Sequence, residues 1–269
     1  MKKKFLLLIT FFIAGFNLAE IVLAQSGKEQ PVQEVFQTET VYPQQRGEFQ
    51  VTMGYSLGKQ FGRSSAQLPI FLEYGINDRW QVGVQWDAFN INSSGDGAQF
   101  GTGDLSLGTK YSFMNVGKSN THIAIGFELG LPAGDPAKEM GEGLIEYAPF
   151  VIAARDFPKL NDLQVFTQIG LGFVQKSGRA NLREDLAPVA HNLNWNTGFF
   201  IPLHLCVITT EFQWTTNRWN HGGTDSHHSL TPGVIWRIPA NWEMGVVAPI
   251  GLSRDSSDSR LIFKLTKEF

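Results

Sequence analysis

Along most of this chain, apolar and polar residues alternate one for one. In EFQVTMGYSL, Phe49, Val51, Met53, Tyr55 and Leu57 are apolar, and Glu48, Gln50, Thr52 and Ser56 lie between them. In RWQVGVQWDA, Trp80, Val82, Val84 and Trp86 face one way while Gln81, Gln85 and Asp87 face the other. HIAIGFELGL sets Ile123, Ile125, Phe127, Leu129 and Leu131 against His122, Gly126 and Glu128. A period of two marks a strand with one apolar and one polar side. The pattern predicts about twelve strands of roughly ten residues each, the length that crosses a bilayer at a tilt. They begin near Glu48, Gln67, Trp80, Gly103, His122, Leu144, Leu163, Asn192, Leu205, Leu230, Trp242 and Ser259. LIEYAPFVIAARDF, from Leu144 to Phe157, is the weakest of them, because both of its faces carry apolar residues.

The connections differ in length. IND, PLHL and PAN are short, whereas NINSSGDGAQFGT, QKSGRANLREDLAPVAH and NRWNHGGTDSHH are long and polar. This asymmetry predicts an all-β, antiparallel transmembrane barrel over residues 47–269, with short periplasmic turns and longer extracellular loops. Closure has a physical reason: a sheet in lipid cannot leave backbone N–H and C=O groups unpaired at an edge. Aromatics recur near the predicted strand ends, at Trp80, Trp86, Tyr111, Phe113, Trp195, Phe212, Trp214, Trp236 and Trp242. Their repetition reads as interfacial girdles, with outer-membrane lipids as the surrounding solvent.

Composition agrees with this picture. Charged residues make up only 17% of the 269, against 28 glycines and 21 phenylalanines, and the net charge of −3 gives no reason to expect nucleic acid as a partner. At the N-terminus, Lys2, Lys3 and Lys4 precede an apolar run from Phe5 to Ala19, followed by Val22 and Ala24 at small-residue cleavage positions. Residues 1–24 are therefore expected to be a secretory signal peptide. Residues 25–46 are polar and Gln-rich without periodicity, and read as a periplasmic segment, either loose or folded onto the body. The lone Cys206 excludes an intrachain disulfide and falls on an apolar face with Ile208, Phe212 and Trp214.

Candidate chemistry begins at GTGDLSLGTKYSF, residues 101–113. From Gly103 it reads as a phosphate loop with its last two residues exchanged. A working phosphate loop needs a helix after it, and here the alternation continues as a strand. Leu105, Leu107, Tyr111 and Phe113 would face lipid, and Asp104, Ser106 and Lys110 the lumen. Gly101 and Gly103 would let the chain turn out of a loop, and Gly108 would leave room on the inner wall. By the same alternation the lumen-lining candidates are Glu48, Glu73, Asp87, Asp104, Lys110, Glu128, Glu211, Arg237, Glu243, Arg260 and Lys264. They could form a pathway that selects solutes by charge, or a cross-strand ion-pair network that stiffens a narrow barrel. The small interior of twelve strands favours the network for most pairs. His227-x-Ser229, with Asp225 nearby, resembles the nucleophile pair of an outer-membrane lipid hydrolase. His221, His227 and His228 lack metal-ligand spacing, and neither metal nor cofactor is expected.

Two stretches carry a family resemblance. RLIFKLTKEF, with Leu261, Phe263, Leu265 and the terminal Phe269, resembles the C-terminal signal of bacterial outer-membrane proteins, which implies recognition by the barrel assembly machinery. Lys267 departs from that pattern, two residues before the end. The second resemblance rests on Gly103, Asp104, Leu105, Gly108, Lys110 and Tyr111, then Leu131, Pro132, Gly134 and Asp135, and on Thr231, Pro232 and Gly233. These are similar to the outer-membrane barrel family associated with the meta-pathway of phenol degradation. That resemblance implies a bacterial outer-membrane location and passage of small, often hydrophobic or aromatic, molecules. The expectation is a monomeric passive channel. A lipid hydrolase, an adhesive barrel with binding loops and a signalling barrel stay open as alternatives.

Overall fold

The computed structural model describes residues 32, 36–60, 63–94, 97–138, 140–141, 143–177, 191–218, 226–253 and 259–269. Its strands are β1 (Phe49–Gln60), β2 (Arg63–Asn77), β3 (Trp80–Ser94), β4 (Gly97–Gly101), β5 (Leu105–Phe113), β6 (Thr121–Leu131) and β7 (Leu144–Phe157). They continue as β8 (Leu163–Lys176), β9 (Asn192–Pro202), β10 (Cys206–Thr216), β11 (Ser226–Ile238), β12 (Trp242–Val247), β13 (Ile250–Gly251) and β14 (Ser259–Glu268). All pairings are antiparallel. β4 and β5 both pair with β3 and share one stave, and β12 and β13 both pair with β11 and share another. The result is a closed barrel of twelve staves. The last stave returns to the first: β1 pairs with β14 from Gln50↔Glu268 to Lys59↔Ser259, which closes the wall on itself.

Alternation places the side chains inside out relative to a soluble domain. On β1, Phe49, Met53, Tyr55 and Leu57 are 39–44% exposed, while Gln50 and Thr52 are fully buried. The outer wall is apolar and the inner wall polar, the arrangement of a barrel whose exterior meets hydrocarbon. The end carrying the connections after β2, β9 and β11 is called the turn end below, and the opposite end the loop end. Tight turns at the turn end use left-handed residues in pairs: Asn161 and Asp162 have φ 53° and 52°, and Ala240 and Asn241 have φ 65° and 58°. Such pairs match the right-handed twist of the strands they join.

The structure corrects the reading of NINSSGDGAQFGT as a long loop. β3 runs on to Ser94, and β4 pairs with it from Asn90↔Gly101 to Ser94↔Gly97. The hairpin escapes the alternation test because its β4 half, Gly97–Phe100, is exposed throughout, so neither face has to be apolar. β2 and β11 likewise begin a few residues earlier than predicted, at Arg63 and Ser226. Gly101 and Gly103 are not needed for a turn. A side chain on Gly103 would collide with Asn90 and Asp87, so this glycine permits a close approach of the β4–β5 link to β3.

The weak alternation of β7 has a cause. Its inner face carries Ile152 and Ala154, both buried, with Phe150 partly buried beside them. These join Ala124, Phe166, Phe200, Val207 and Ile235 from β6, β8, β9, β10 and β11 in one apolar cluster inside the barrel. The remaining members of the cluster, Val32, Val41, Phe36 and Tyr42, come from the N-terminal segment. One inner wall is therefore apolar because a piece of the chain itself lies against it.

Candidate functional site

The lumen of the barrel is occupied from the turn end by residues 36–46. Their path starts at Gly47, whose φ of +82° turns the chain inward and whose N–H donates to the Gly75 carbonyl at 2.8 Å. Gly75 has no room for a side chain, since an added methyl would meet the carbonyl oxygens of Gln44 and Gln45. From there the segment climbs past Tyr42 and Lys110 to Phe36, beside Gly245 and Glu211 on the opposite wall.

Inner-wall side chains bond this segment through its main chain. Glu211, fully buried, accepts from Phe36 N–H with Oε1 and from Gln37 N–H with Oε2, each at 3.0 Å. Asn196 Nδ2 donates to the Gln37 carbonyl at 3.0 Å, and Gln168 Oε1 accepts from Glu39 N–H at 3.0 Å. Lys110 Nζ donates to the Thr40 carbonyl at 2.7 Å and to Glu39 Oε2 at 3.0 Å. Ser112 Oγ donates to the Val41 carbonyl at 2.7 Å, and Gln81 Oε1 accepts from Gln44 N–H at 2.9 Å. A buried polar wall without partners would be costly; the segment supplies them.

A second cluster holds the side chain of Tyr42. Its hydroxyl lies 3.2 and 3.3 Å from the Asp156 carboxylate oxygens and accepts from Gln164 Nε2 at 2.7 Å. Asn115 N–H donates to His122 Nδ1 at 3.1 Å, which leaves the proton of a neutral imidazole on Nε2, 2.9 Å from Asp156 Oδ2. Burial pushes the Tyr42 phenol well above the usual tyrosine range, and the Asp156 carboxylate adds to the rise.

Beside the segment a cavity of about 50 Å³ remains against β2, β3, β5 and β6. Glu39, Glu73, Glu128 and Lys110 line it, as do Gly83 and Gly108. These two glycines face each other in register, and an added methyl on Gly108 would meet nothing within 4 Å. This cavity, called the lane below, lacks two side chains from its wall there. Glu73 accepts from Gln50 at 2.9 Å and Gln81 at 2.5 Å.

The other sequence-predicted positions spread over the barrel. Glu48 precedes β1 at the turn-end rim and accepts from Gln45 N–H at 2.6 Å. Asp104 does not meet Lys110; its Oδ1 accepts from Gly134 N–H at 2.9 Å and ties the β6–β7 loop to the β4–β5 link. Asp87 lies beside that link, where Gly103 N–H donates to its carbonyl at 2.7 Å. Arg237 and Glu243 oppose each other across β11 and β12, and Glu243 also opposes Thr266 of β14. Lys264 Nζ lies 5.7 Å from the Phe36 ring and 5.0 Å from the Phe71 ring. Arg260 is half-buried on β14 opposite Gly58, toward the loop end. At the chain end, Leu261, Phe263, Leu265 and Phe269 lie on the outward register of β14, Phe263 and Phe269 being 38% and 69% exposed. Lys267 keeps an outward position by reaching the Ala240 carbonyl, with its ammonium over the Trp242 and Phe269 rings at 5.7 and 5.3 Å.

Reading only charges missed Gln81, Ser112, Gln164, Gln168 and Asn196, which share the inward parity and carry no charge. Asp156 was missed because it closes the strand whose alternation is weakest. His227 is exposed, and His228 stacks on Trp214 with ring centroids 6.2 Å apart; Asp225 and His221 lie outside the described residues. No group of three His, Cys, Asp or Glu side chains that could hold a metal occurs among the described residues.

An apolar exterior, a closed antiparallel wall and a polar lumen define the fold of outer-membrane β-barrels. Residues 43–268 match the HAEPLYID-like family, and the chain belongs to it. Among solved structures, it is similar to the COG4313 outer membrane channel from Pseudomonas putida F1, at 13% identity and a TM-score of 0.62, covering 87% of this chain and all of that one. It is also similar to the KdgM porin, at 14% identity and a TM-score of 0.53, covering 81% of this chain and 99% of the other. At these identities the likeness is one of fold. A search of curated proteins found no match.

Proposed function

We propose that this protein is a bacterial outer-membrane channel through which small molecules diffuse, narrowed by its own N-terminal segment. The observation that carries the reading is the lumen itself. A closed wall with an apolar exterior encloses buried polar side chains, a docked segment and a small cavity beside it. The barrels it resembles in fold are an outer membrane channel and a porin, which supports the same reading. In this proposal the turn end faces the periplasm, the chain works as a monomer, and the assembly machinery reads the C-terminal strand ending in Phe269.

The solute class has two sources of support. Resemblance to the phenol-degradation barrels points to small hydrophobic or aromatic molecules. The lane favours uncharged and cationic solutes over anions, because Glu39, Glu73 and Glu128 line it with Lys110 as the opposing cation. Reconstitution in planar bilayers tests the channel: discrete conductance steps are expected, and a sealed membrane at every voltage would overturn the reading.

A further inference from the structure

We propose that the inner wall is a binding site for polypeptide, read mainly through its main chain, and that the resident N-terminal segment is an occupant other peptides can replace. The inference rests on the channel reading and names a ligand class for the same lumen.

The wall's contacts are with groups that nearly every peptide has. It satisfies the N–H of Phe36, Gln37, Glu39 and Gln44 and the carbonyls of Gln37, Thr40 and Val41. The partners, Glu211, Asn196, Gln168, Lys110, Ser112 and Gln81, come from β10, β9, β8, β5 and β3. Only proline lacks the donor, so these bonds read chain shape and direction more than sequence. Direction is enforced at both ends of the climb. The Glu211 carboxylate takes two successive N–H groups, and Lys110 and Ser112 take two successive carbonyls. A chain running the other way would set carbonyls against a buried carboxylate.

Side-chain selectivity is confined to a few places. Phe36 sits beneath Lys264 and beside Gly245, Val41 is in the apolar cluster, and Tyr42 bonds to Asp156 and Gln164. The wall therefore fits an oligopeptide bent as this segment is, with an aromatic at each of two positions six residues apart, the spacing of Phe36 and Tyr42. Binding through main-chain bonds with a few side-chain pockets is how proteins accept peptides of varied sequence.

The test uses the full chain with its wall intact and its resident segment weakened, as Val41→Asp with Tyr42→Ala, and in a second variant Phe36→Ala with Tyr42→Ala. A fluorescein-labelled synthetic peptide of residues 32–46 is added to the detergent-solubilised protein and followed by anisotropy, and the unlabelled peptide is added to bilayers. Saturable binding to both variants, at least tenfold tighter than to the unsubstituted chain, is expected, with conductance blocked at the same concentrations. N-methylation of the Phe36 and Gln37 nitrogens in the peptide should weaken binding at least tenfold. Conductance that no peptide blocks, with no anisotropy change, overturns the proposal and leaves the channel reading standing. Equal binding of the N-methylated peptide also overturns it, because the occupant would then be held by apolar packing alone. Binding without conductance in any chain overturns the channel reading on which the proposal rests, while leaving the peptide site itself.

Discussion

Lys110 shows how one side chain can be placed by its strand and given its role by a distant segment. Parity on β5 aims it inward, but its partners are Glu39 and the Thr40 carbonyl, some seventy positions earlier in the chain. Replacing it, as Lys110→Met, removes a charge-assisted bond and leaves the Thr40 carbonyl bare. Because Glu39 is half in water, the loss is taken at about 1–2 kcal/mol, a factor of roughly 5–30 in the docked-to-undocked ratio of the segment. Open probability in bilayers should rise accordingly. Tyr42 supplies a pH test. Its folded pKa is raised, first by burial and then by Asp156, so docking gains fully below the pKa of a free tyrosine and loses as pH rises above it. The unperturbed value is about 10. Conductance should therefore be flat from neutral pH to about 10 and climb above it, and Tyr42→Phe should remove the alkaline step.

At the scale of elements, the turn-end stretch of β2 grips the N-terminal segment as it enters. Gly75 sits against the carbonyls of Gln44 and Gln45, so Gly75→Ala has no flexible side chain to push aside. Overpacking of this kind costs about 1–3 kcal/mol. The cost should fall on docking more than on the barrel, seen as raised conductance with an unchanged heat-modified band shift on gels. Gly108 on β5 gives the opposite case. Gly108→Ile would set its Cβ in open space, and residual conductance should fall while the barrel remains folded. β7 shows why element-level reading falters in places. Its inner face is apolar because it joins a cluster that Val32 and Val41 of the N-terminal segment complete, and no local pattern announces a partner from outside the strand.

For the whole molecule, charge selectivity is the observable that integrates the lumen. With Glu39, Glu73 and Glu128 on the lane, the reversal potential in a KCl gradient should show preference for cations. Glu73→Gln together with Glu128→Gln should move it toward zero. An unchanged reversal potential would mean that ions take another route past the segment.

Alternation, with the connection lengths and the need to pair every backbone group, determined that this chain is a closed antiparallel barrel, which residues face outward, and that the strand carrying Lys110 is not a phosphate loop. That information is local, because a strand in a barrel must sort its two faces every second residue. The start of β5 after the Gly103 link and the outward end of β14 were legible for the same reason. Residues 25–46 carried no period, and the described part, 36–46, is bonded through its main chain and has little need to sort its own side chains. Where that segment goes, which inner residues hold it, why β7 is apolar on both faces and where a lane is left open beside Gly83 and Gly108 were decided only by tertiary structure. Those contacts join residues far apart in the chain, and apart from Glu211 and Lys110 the partners from the wall are uncharged amides and hydroxyls that look alike on every inward face.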